Sequence, residues 1–477
     1  MSQQREHFGI VGGGLLGLTL ALRLAQQGKR VTVLEAADHV GGLADAWQIG
    51  DVTWDRHYHV TLLSDQHLRG VLKELGLDEQ MQWVKTKTGF LVDGRLHSLS
   101  SVWDFLGFPP LNLIDKLRLG WTIWHASRID DWKTLERQSV GDWLVKHSGR
   151  RTFERIWLPL LKAKLGDAWQ RTSAAFIWAS IQRMYAARRG GQKQELFGYL
   201  PGGYSRVLAA FREKLGSLGV EIQTGCRVKS IVSDSAGGVE IATADGKVQL
   251  FDRAVVTTPA PVAAQMCSQL TSAEADRLKA VEYVGILCAS LVLKKPLAGY
   301  YVTNITDAAP FTGVIEMTAL VDPAEFGGKS LVYLPKYVGA GDEAWKMSDE
   351  QIETQFVAAL ERLSPTFSRA DVLAFRVSRV RNVFALSTLG YSRNVPPIDT
   401  SVPGLFLVNS AQIVNGTLNV NETVRLAESA LETICRPLEP RTNRDAAECQ
   451  RRHSLPVFPY QPQDHVADDC ELIARSR

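Results

Sequence analysis

The run Phe8-Gly-Ile-Val-Gly12-Gly-Gly-Leu-Leu-Gly17, followed through Gly28 to Val31-Thr-Val-Leu-Glu35, decides the fold. Phe8 to Val11 reads as a short buried strand, Leu18 to Gln27 has helical periodicity, and Val31 to Leu34 is a second apolar strand. Gly28 ends the helix. Together these make the strand–turn–helix–strand unit of a dinucleotide site, a far more specific signal than a glycine pattern alone. Gly12 permits the tight turn, Gly14 lets the backbone approach a pyrophosphate, and Gly17 allows the helix to pack closely on the strand. The helix N-terminus offers unpaired N–H groups and the positive end of the helix dipole to phosphate oxygens. Glu35, 18 residues beyond Gly17 and followed by Ala36, is placed to accept hydrogen bonds from ribose hydroxyls and to repel a 2′-phosphate. The unit points to FAD or NAD and away from NADP.

Composition bounds the rest. The 477 residues are 45% hydrophobic and 22% charged, with 39 Gly, 19 Pro and a net charge of +3, which excludes wholesale disorder, collagen-like repeats and a coiled coil. That length suits roughly two to four domain equivalents. A near-neutral balance gives no reason to expect nucleic acid as partner. The six cysteines, at 226, 267, 288, 435, 449 and 470, form neither a CxxC pair nor a zinc-like spacing, so no metal site is expected. The apolar run Phe8 to Leu22 is short and glycine-rich for a bilayer span, and it lacks the basic flank and cleavage site of a secretory leader. A cytoplasmic chain with reduced thiols is the expectation.

After Glu35 come Ala-Ala-Asp-His-Val-Gly41-Gly42-Leu43 and then Trp54-Asp-Arg-His57-Tyr-His59. An acidic end to the second strand, with a glycine pair within seven positions, resembles the FAD family that includes protoporphyrinogen oxidase, phytoene desaturase and the flavin amine oxidases. Three later segments carry the same resemblance. Pro201-Gly-Gly-Tyr-Ser-Arg-Val-Leu leads into a helix ending near Gly219. Cys226-Arg-Val228 opens alternating runs joined at Asp245-Gly246, a strong hairpin signal, and ending in Ala254-Val-Val-Thr-Thr258-Pro. Gly404-Leu-Phe-Leu-Val-Asn409-Ser410 ends a strand, and beyond Gly416 a helix starts near Asn421 or Glu422. The resemblance implies FAD held by Gly12, Gly14, Leu15, Leu16, Gly17, Glu35, Ala36, Gly41, Gly42, Thr258, Asn409, Ser410 and Asn421, with the backbone of Val228 against the adenine edge. There are two departures: Leu43 stands where many members carry Arg, and Asn409-Ser410 replaces the usual Gly-Asp pair. Asn409 keeps the capacity to hydrogen-bond a ribityl hydroxyl.

The implied fold is α/β. A discontinuous Rossmann-like FAD-binding domain (residues 1–62, 200–268 and 393–436) is interrupted by an α+β substrate domain of mixed sheet and helices (63–199 and 269–392). Residues 437–477 read as a weakly ordered tail. Residues 112–215 read mainly as helices; Ile286 to Leu293, Thr312 to Thr318 and Ser330 to Leu334 read as strands. Only one dinucleotide fingerprint is visible, so electrons from reduced flavin are expected to pass to oxygen, a quinone or another protein.

The flavin carries the chemistry, and the chain supplies position and electrostatics. His57 and His59 are the catalytic candidates, because a near-neutral pKa suits a proton shuttle and alternate residues of an extended segment point the same way; core packing is the competing reading for either one. Lys336, in Tyr333-Leu-Pro-Lys-Tyr337, reads as a surface lysine beside a proline turn, with a place near the flavin as the alternative. Arg183, Arg188 and Arg189 suit binding better than chemistry.

Two compositional features mark the substrate domain. Eight of the twelve tryptophans fall within 103–178, which suggests a bulky apolar pocket or a patch resting at a membrane interface, with helical core packing as the plain alternative. Between Lys146 and Lys214 lie 14 Lys+Arg and 4 Asp+Glu, a local +10 that leaves −7 for the rest of the chain. An apolar pocket beside a basic surface suits an isoprenoid or polycycle bearing phosphate or carboxylate, or peripheral docking on anionic lipid. The expected activity is FAD-dependent hydride removal from a lipophilic small molecule. The alternative is a non-redox flavoenzyme resembling UDP-galactopyranose mutase, acting on a sugar nucleotide.

Overall fold

Five parallel strands form the sheet on which the chain is organised, in the spatial order Glu221–Gln223, Arg30–Leu34, His7–Val11, Arg253–Val256, Leu405–Leu407. The computed structural model describes residues 5–186, 196–234, 237–414 and 417–437, of which those up to Arg436 belong to one compact unit. Arg188, Arg189, Gly416 and, apart from Pro437, the C-terminal tail lie outside the described residues.

The first strand is apolar and central, with Phe8 pairing Val31 on one side and Arg253 on the other. Successive strands are added on opposite sides of it, so the switch in strand order falls between His7–Val11 and Arg253–Val256, where open α/β sheets bind ligands at the carboxyl edge. Helix Leu15–Gln26 follows because its Leu-rich sequence can be buried on nearly every side. Helices Gly203–Ser217 and Val420–Ile434 pack against it. Of its two long polar side chains, Arg23 reaches Glu74 (2.7 Å) and Glu428 (2.6 Å) and Gln26 donates to Glu74 (2.8 Å). The sheet thus draws on all three stretches assigned to the cofactor domain.

The Asp245-Gly246 signal is a turn between strands Val239–Thr243 and Val248–Phe251, with Gly246 at φ +85° and its N–H donating to Thr243 (3.1 Å). These strands and Val228–Ser233 make an antiparallel ribbon beside the parallel sheet. A second large sheet has seven strands in the order Val372–Ala385, Tyr283–Leu293, Ser330–Val338, Gly313–Glu316, Val302–Ile305, Thr88–Val92, Arg95–Ser98. Helix Asp349–Leu363 closes one face of it, packing Ile352, Phe356 and Leu360 over Leu291, Val332 and Leu334. Residues 113–186 form a helical layer, with a π-helical turn at Phe153–Trp157 just ahead of Pro159, whose ring cannot donate the next hydrogen bond.

One expectation is corrected here. Pro335 and Lys336 lie inside strand Ser330–Val338, opposite Cys288 and Leu287, and do not form a proline turn. Pro335 is tolerated because its missing N–H faces the start of the short strand Gly313–Glu316; its carbonyl accepts from Thr312 N–H (2.6 Å). The tryptophan cluster divides. Trp143 and Trp178 are core residues, Trp132, Trp157 and Trp169 are half-buried, and Trp103, Trp121 and Trp124 are exposed.

Helix and glycine turn meet at Gly17, where an added Cβ would stand 2.0 Å from the Gly12 carbonyl oxygen. Gly28 also has a positive φ (+78°), yet a Cβ there would meet nothing within 4 Å. Gly17→Ala is therefore expected to cost about 2–3 kcal/mol and to release flavin, whereas Gly28→Ala costs about 1 kcal/mol and keeps it. Thermal melts with flavin absorbance on the purified variants check both.

Candidate functional site

The glycine turn brings two separated sequence signals together. Gly41 N–H donates to the Gly13 carbonyl (2.9 Å), and a Cβ on Gly42 would lie 3.2 Å from the Gly14 Cα. Gly12 (φ +112°) and Gly41 (φ +135°) hold backbone conformations that favour glycine, and a Cβ on Gly12 would lie 2.4 Å from Thr257 Oγ1. Helix Leu15–Gln26 starts with Gly14 as its N-cap and no side-chain cap, so the first-turn N–H groups near Leu15 and Leu16 have no side chain bonded to them. Such an uncapped helix start beside a glycine turn suits a phosphate group.

Glu35 sits at the end of the second strand. One carboxylate oxygen accepts from Gly13 N–H (2.5 Å) and the other from Ala37 N–H (2.8 Å), which leaves lone pairs for ribose hydroxyls. Its backbone bonds Gln223 and Cys226 (2.8 Å each), drawing the segment that leads to Val228 alongside. Ala36 is exposed just beyond, and Val228 is buried as the first residue of its strand.

Thr258 and Asn409 follow adjacent strands at the same carboxyl edge. Asn409 is buried; its side-chain oxygen accepts from Ala411 N–H (3.1 Å), while its Nδ2 has no partner among the described residues. Thr258 Oγ1 is likewise buried without a partner among them. Unpaired buried donors cost stability, so two of them facing one edge are the mark of a polar ligand that completes them. The cradle, Glu35 and these two groups fit FAD, with Ser410 next in line and hydrogen-bonded to Tyr283. Asn421 has a role in the fold as well. Its oxygen accepts from His67 and Leu68 N–H (3.0 and 3.2 Å), capping helix Gln66–Glu74, and its amide faces Glu422 (3.3 Å).

The two histidines do not share a direction, because the chain bends at Arg56 and His57. His57 is buried, donating from Nδ1 to the Leu43 carbonyl (3.1 Å) and accepting at Nε2 from Ser378 (3.1 Å). It pins the glycine-pair loop to strand Val372–Ala385. Burial, then the neighbouring His59, lowers its pKa to about 4, so the ring is neutral near pH 7. His59 is half-buried instead, with its ring 4.8 Å from Tyr204 and its Nδ1 3.7 Å from the buried Asp55. It lines a small cavity with Trp54, Asp55, Tyr199, Tyr204 and Met317.

Between them, Tyr58 points to a group that the sequence did not single out. Its hydroxyl hydrogen-bonds Tyr337 (2.9 Å), and burial, then Tyr337, holds its pKa well above the ordinary phenol value. Tyr337 packs edge-on against Phe384 (5.9 Å), and Phe384 against Phe176 (6.3 Å). Lys164 Nζ stands 5.4 Å from the Tyr337 ring and 5.8 Å from each of the other two. No carboxylate lies within ion-pair distance of it among the described residues. Arg183 is engaged elsewhere, on the buried Asp65 (3.0 Å). The only sequence signal for Lys164 was its place in the +10 segment.

Two outcomes follow. Thr258→Val removes a hydroxyl without changing volume, so the apo protein should gain up to about 1 kcal/mol while FAD binds about tenfold more weakly, as read by melts and FAD titration. Because folded His57 binds its proton only near pH 4, the unfolded chain takes up the extra proton between pH 6.5 and 4. Stability should therefore fall across that window as pH drops. His57→Leu should lower stability at pH 7 by about 2 kcal/mol and flatten that slope, measured as Tm against pH.

The flavin containing amine oxidoreductase family matches residues 17–420. Among curated relatives, 15-cis-phytoene desaturase of Glycine max is 24% identical over 277 residues, 53% of this chain and 47% of that protein. Coproporphyrinogen III oxidase of Mycobacterium tuberculosis is 27% identical over 220 residues, 42% and 48% of the two chains. The chain thus spans about half the length of the curated relatives it matches. Among solved structures, an oxidoreductase from Methanosarcina mazei superposes with a TM-score of 0.70 at 19% identity, over 89% of this chain and 100% of that one. Wild-type putrescine oxidase bound to putrescine gives 0.70 at 17% identity, over 91% and 99%. The chain thus belongs to the flavin containing amine oxidoreductase family, with FAD as its cofactor.

Proposed function

We propose that the chain is an FAD-dependent oxidoreductase that removes a hydride from a lipophilic small molecule bearing an anionic group, such as an isoprenoid or a polycycle. The observation that carries this reading is Lys164, a cation without a carboxylate partner among the described residues, held among Phe176, Tyr337 and Phe384. Aromatic walls favour an apolar body and exclude water, and an ammonium group there gains most from a carboxylate or phosphate. Relatives named for desaturating phytoene and for oxidising coproporphyrinogen III support hydride removal as the reaction class.

When bound, FAD supplies the two-electron acceptor. The protein's part is binding and proton control. Gly12 to Gly17 with Gly41 and Gly42 hold the pyrophosphate, Glu35 a ribose, and Thr258 Oγ1 and Asn409 Nδ2 donate hydrogen bonds to the cofactor. Tyr58, held protonated by its burial, and Tyr337 present a hydroxyl pair that orients a polar substituent. His57, neutral and tied at both nitrogens, positions the Gly41-Gly42 loop and takes no proton from substrate. His59, whose Nδ1 makes no hydrogen bond among the described residues and stands 3.7 Å from Asp55, is the histidine left for a proton relay.

Anaerobic mixing of the flavin-loaded protein with candidate substrates tests the reaction: bleaching of the visible flavin band is expected with lipophilic anions. Product formed with no net flavin reduction would overturn hydride removal and favour a non-redox use of the flavin. Lys164→Met should raise KM for the anionic substrate about tenfold with kcat within about threefold, and Lys164→Arg should restore it. An unchanged KM in Lys164→Met would remove the anion from the substrate description.

A further inference from the structure

The tryptophan cluster leaves an outward apolar face that neither the site nor the core absorbs. Helix Leu113–Ala126 turns Asp115, Leu119, Thr122 and Ala126 inward, and Leu113, Ile114, Leu117, Trp121 and Trp124 outward. The short helix Val102–Gly107 adds Trp103, 81% exposed, and Leu117 is 67% exposed. This inverts the usual amphipathic arrangement of a surface helix. Both helices are well formed: Ser101 and Asn112 cap their N-termini, accepting from Asp104 N–H (3.1 Å) and Asp115 N–H (2.8 Å). The connection is pinned by Phe108 and Leu111, buried against Val92, Leu119 and Ile156. The apolar side chains therefore face out from a fixed platform.

The rim of this face is basic. Arg128 lies 5.0 Å from the Trp124 ring. Exposed Arg118 runs over Gly149, where a Cβ would meet its guanidinium at 2.5 Å, so it adjoins Arg150 and Arg151, whose side chains are largely exposed. Of the nearby carboxylates, Asp104 accepts from Ser98 Oγ and from Ser100 N–H (2.5 and 3.0 Å) and buried Asp115 faces Arg151 (3.3 Å), while the exposed Glu154 stands 3.9 Å from Arg150, so arginines still outnumber the exposed acids at this edge. Indoles and leucines at the centre with arginines at the edge match the acyl boundary and headgroup layer of an anionic bilayer, one apolar and the other negatively charged.

We propose that the face formed by helices Val102–Gly107 and Leu113–Ala126 seats the protein on an anionic membrane surface, with Trp103, Leu117 and Trp121 entering the interface and Arg118, Arg128 and Arg150 on the headgroups. Among the described residues no helix is long and apolar enough to cross a membrane, so this is attachment to one leaflet. It does not depend on the substrate reading, since it concerns a surface distinct from the FAD cradle.

Sedimentation of the full-length, flavin-loaded protein with phosphatidylcholine vesicles, with and without phosphatidylglycerol, is the test. Strong binding to anionic vesicles at low salt is expected, falling severalfold at high salt. Leu117→Glu with Trp121→Glu should reduce the bound fraction at least tenfold while flavin content and Tm stay unchanged, because both side chains are exposed. Arg118→Gln with Arg150→Gln should weaken binding to anionic vesicles and leave binding to neutral ones alone. Wild-type protein that stays in solution with anionic vesicles, or a Glu variant that binds as well as wild type, overturns the proposal. So does a wild-type dimer that the Glu variant dissociates, which would assign the face to a second copy of this chain.

Discussion

Everything in the cofactor region depends on how closely one helix approaches one turn. Position 17 must be glycine because the Gly12 carbonyl oxygen occupies the place of its Cβ, 2.0 Å away. That approach aims the first turn of helix Leu15–Gln26 at the carboxyl edge of the sheet and leaves its N–H groups uncapped. The Gly41-Gly42 loop then lies against Gly13 and Gly14, and Glu35 closes the corner through Gly13 N–H (2.5 Å). A bulkier residue at any of these contacts would separate elements that must meet around one ligand.

Outside the cradle, the site is assembled from polar groups that the protein satisfies and polar groups that it leaves waiting. His57 is fully satisfied and neutral, so it works as a strut. Asn421 is satisfied too, as a helix cap. Thr258 Oγ1, Asn409 Nδ2 and His59 Nδ1 are buried without hydrogen-bond partners among the described residues, although His59 Nδ1 stands 3.7 Å from the Asp55 carboxylate. In a low-dielectric interior that difference separates residues that hold the fold from residues able to meet a ligand. Lys164 belongs with the second kind, an ammonium group among rings with no counter-charge beside it among the described residues.

Much of the cofactor site was legible in the sequence, and the substrate side was not. The glycine spacing, Glu35, the Asp245-Gly246 turn and the helix after residue 419 follow from local rules of φ, capping and periodicity. His57 and His59 looked equivalent until the bend at Arg56 and His57 sent one ring to Ser378, 321 residues away, and left the other beside Asp55. Pro335 read as a turn because a proline usually ends a strand; only the short neighbour Gly313–Glu316, beginning where its N–H would have pointed, lets the strand continue. The tryptophans between 103 and 178 carried no label saying which were core, since an indole suits a buried position and an interface equally well.

The sequence by itself determined the nucleotide-binding unit, because steric and hydrogen-bonding rules within about thirty residues permit only one arrangement of strand, glycine turn and helix followed by an acid. Tertiary structure alone decided what faces the cofactor and what faces outward. Lys164 gains its setting from rings at 176, 337 and 384, and Asn409 and Thr258 become neighbours only because two strands distant in the chain pair in parallel. The outward side of helix Leu113–Ala126 is apolar because Phe108 and Leu111 anchor its other side to the core. Such contacts are set by packing between segments far apart in the chain, for which periodicity and spacing hold no record.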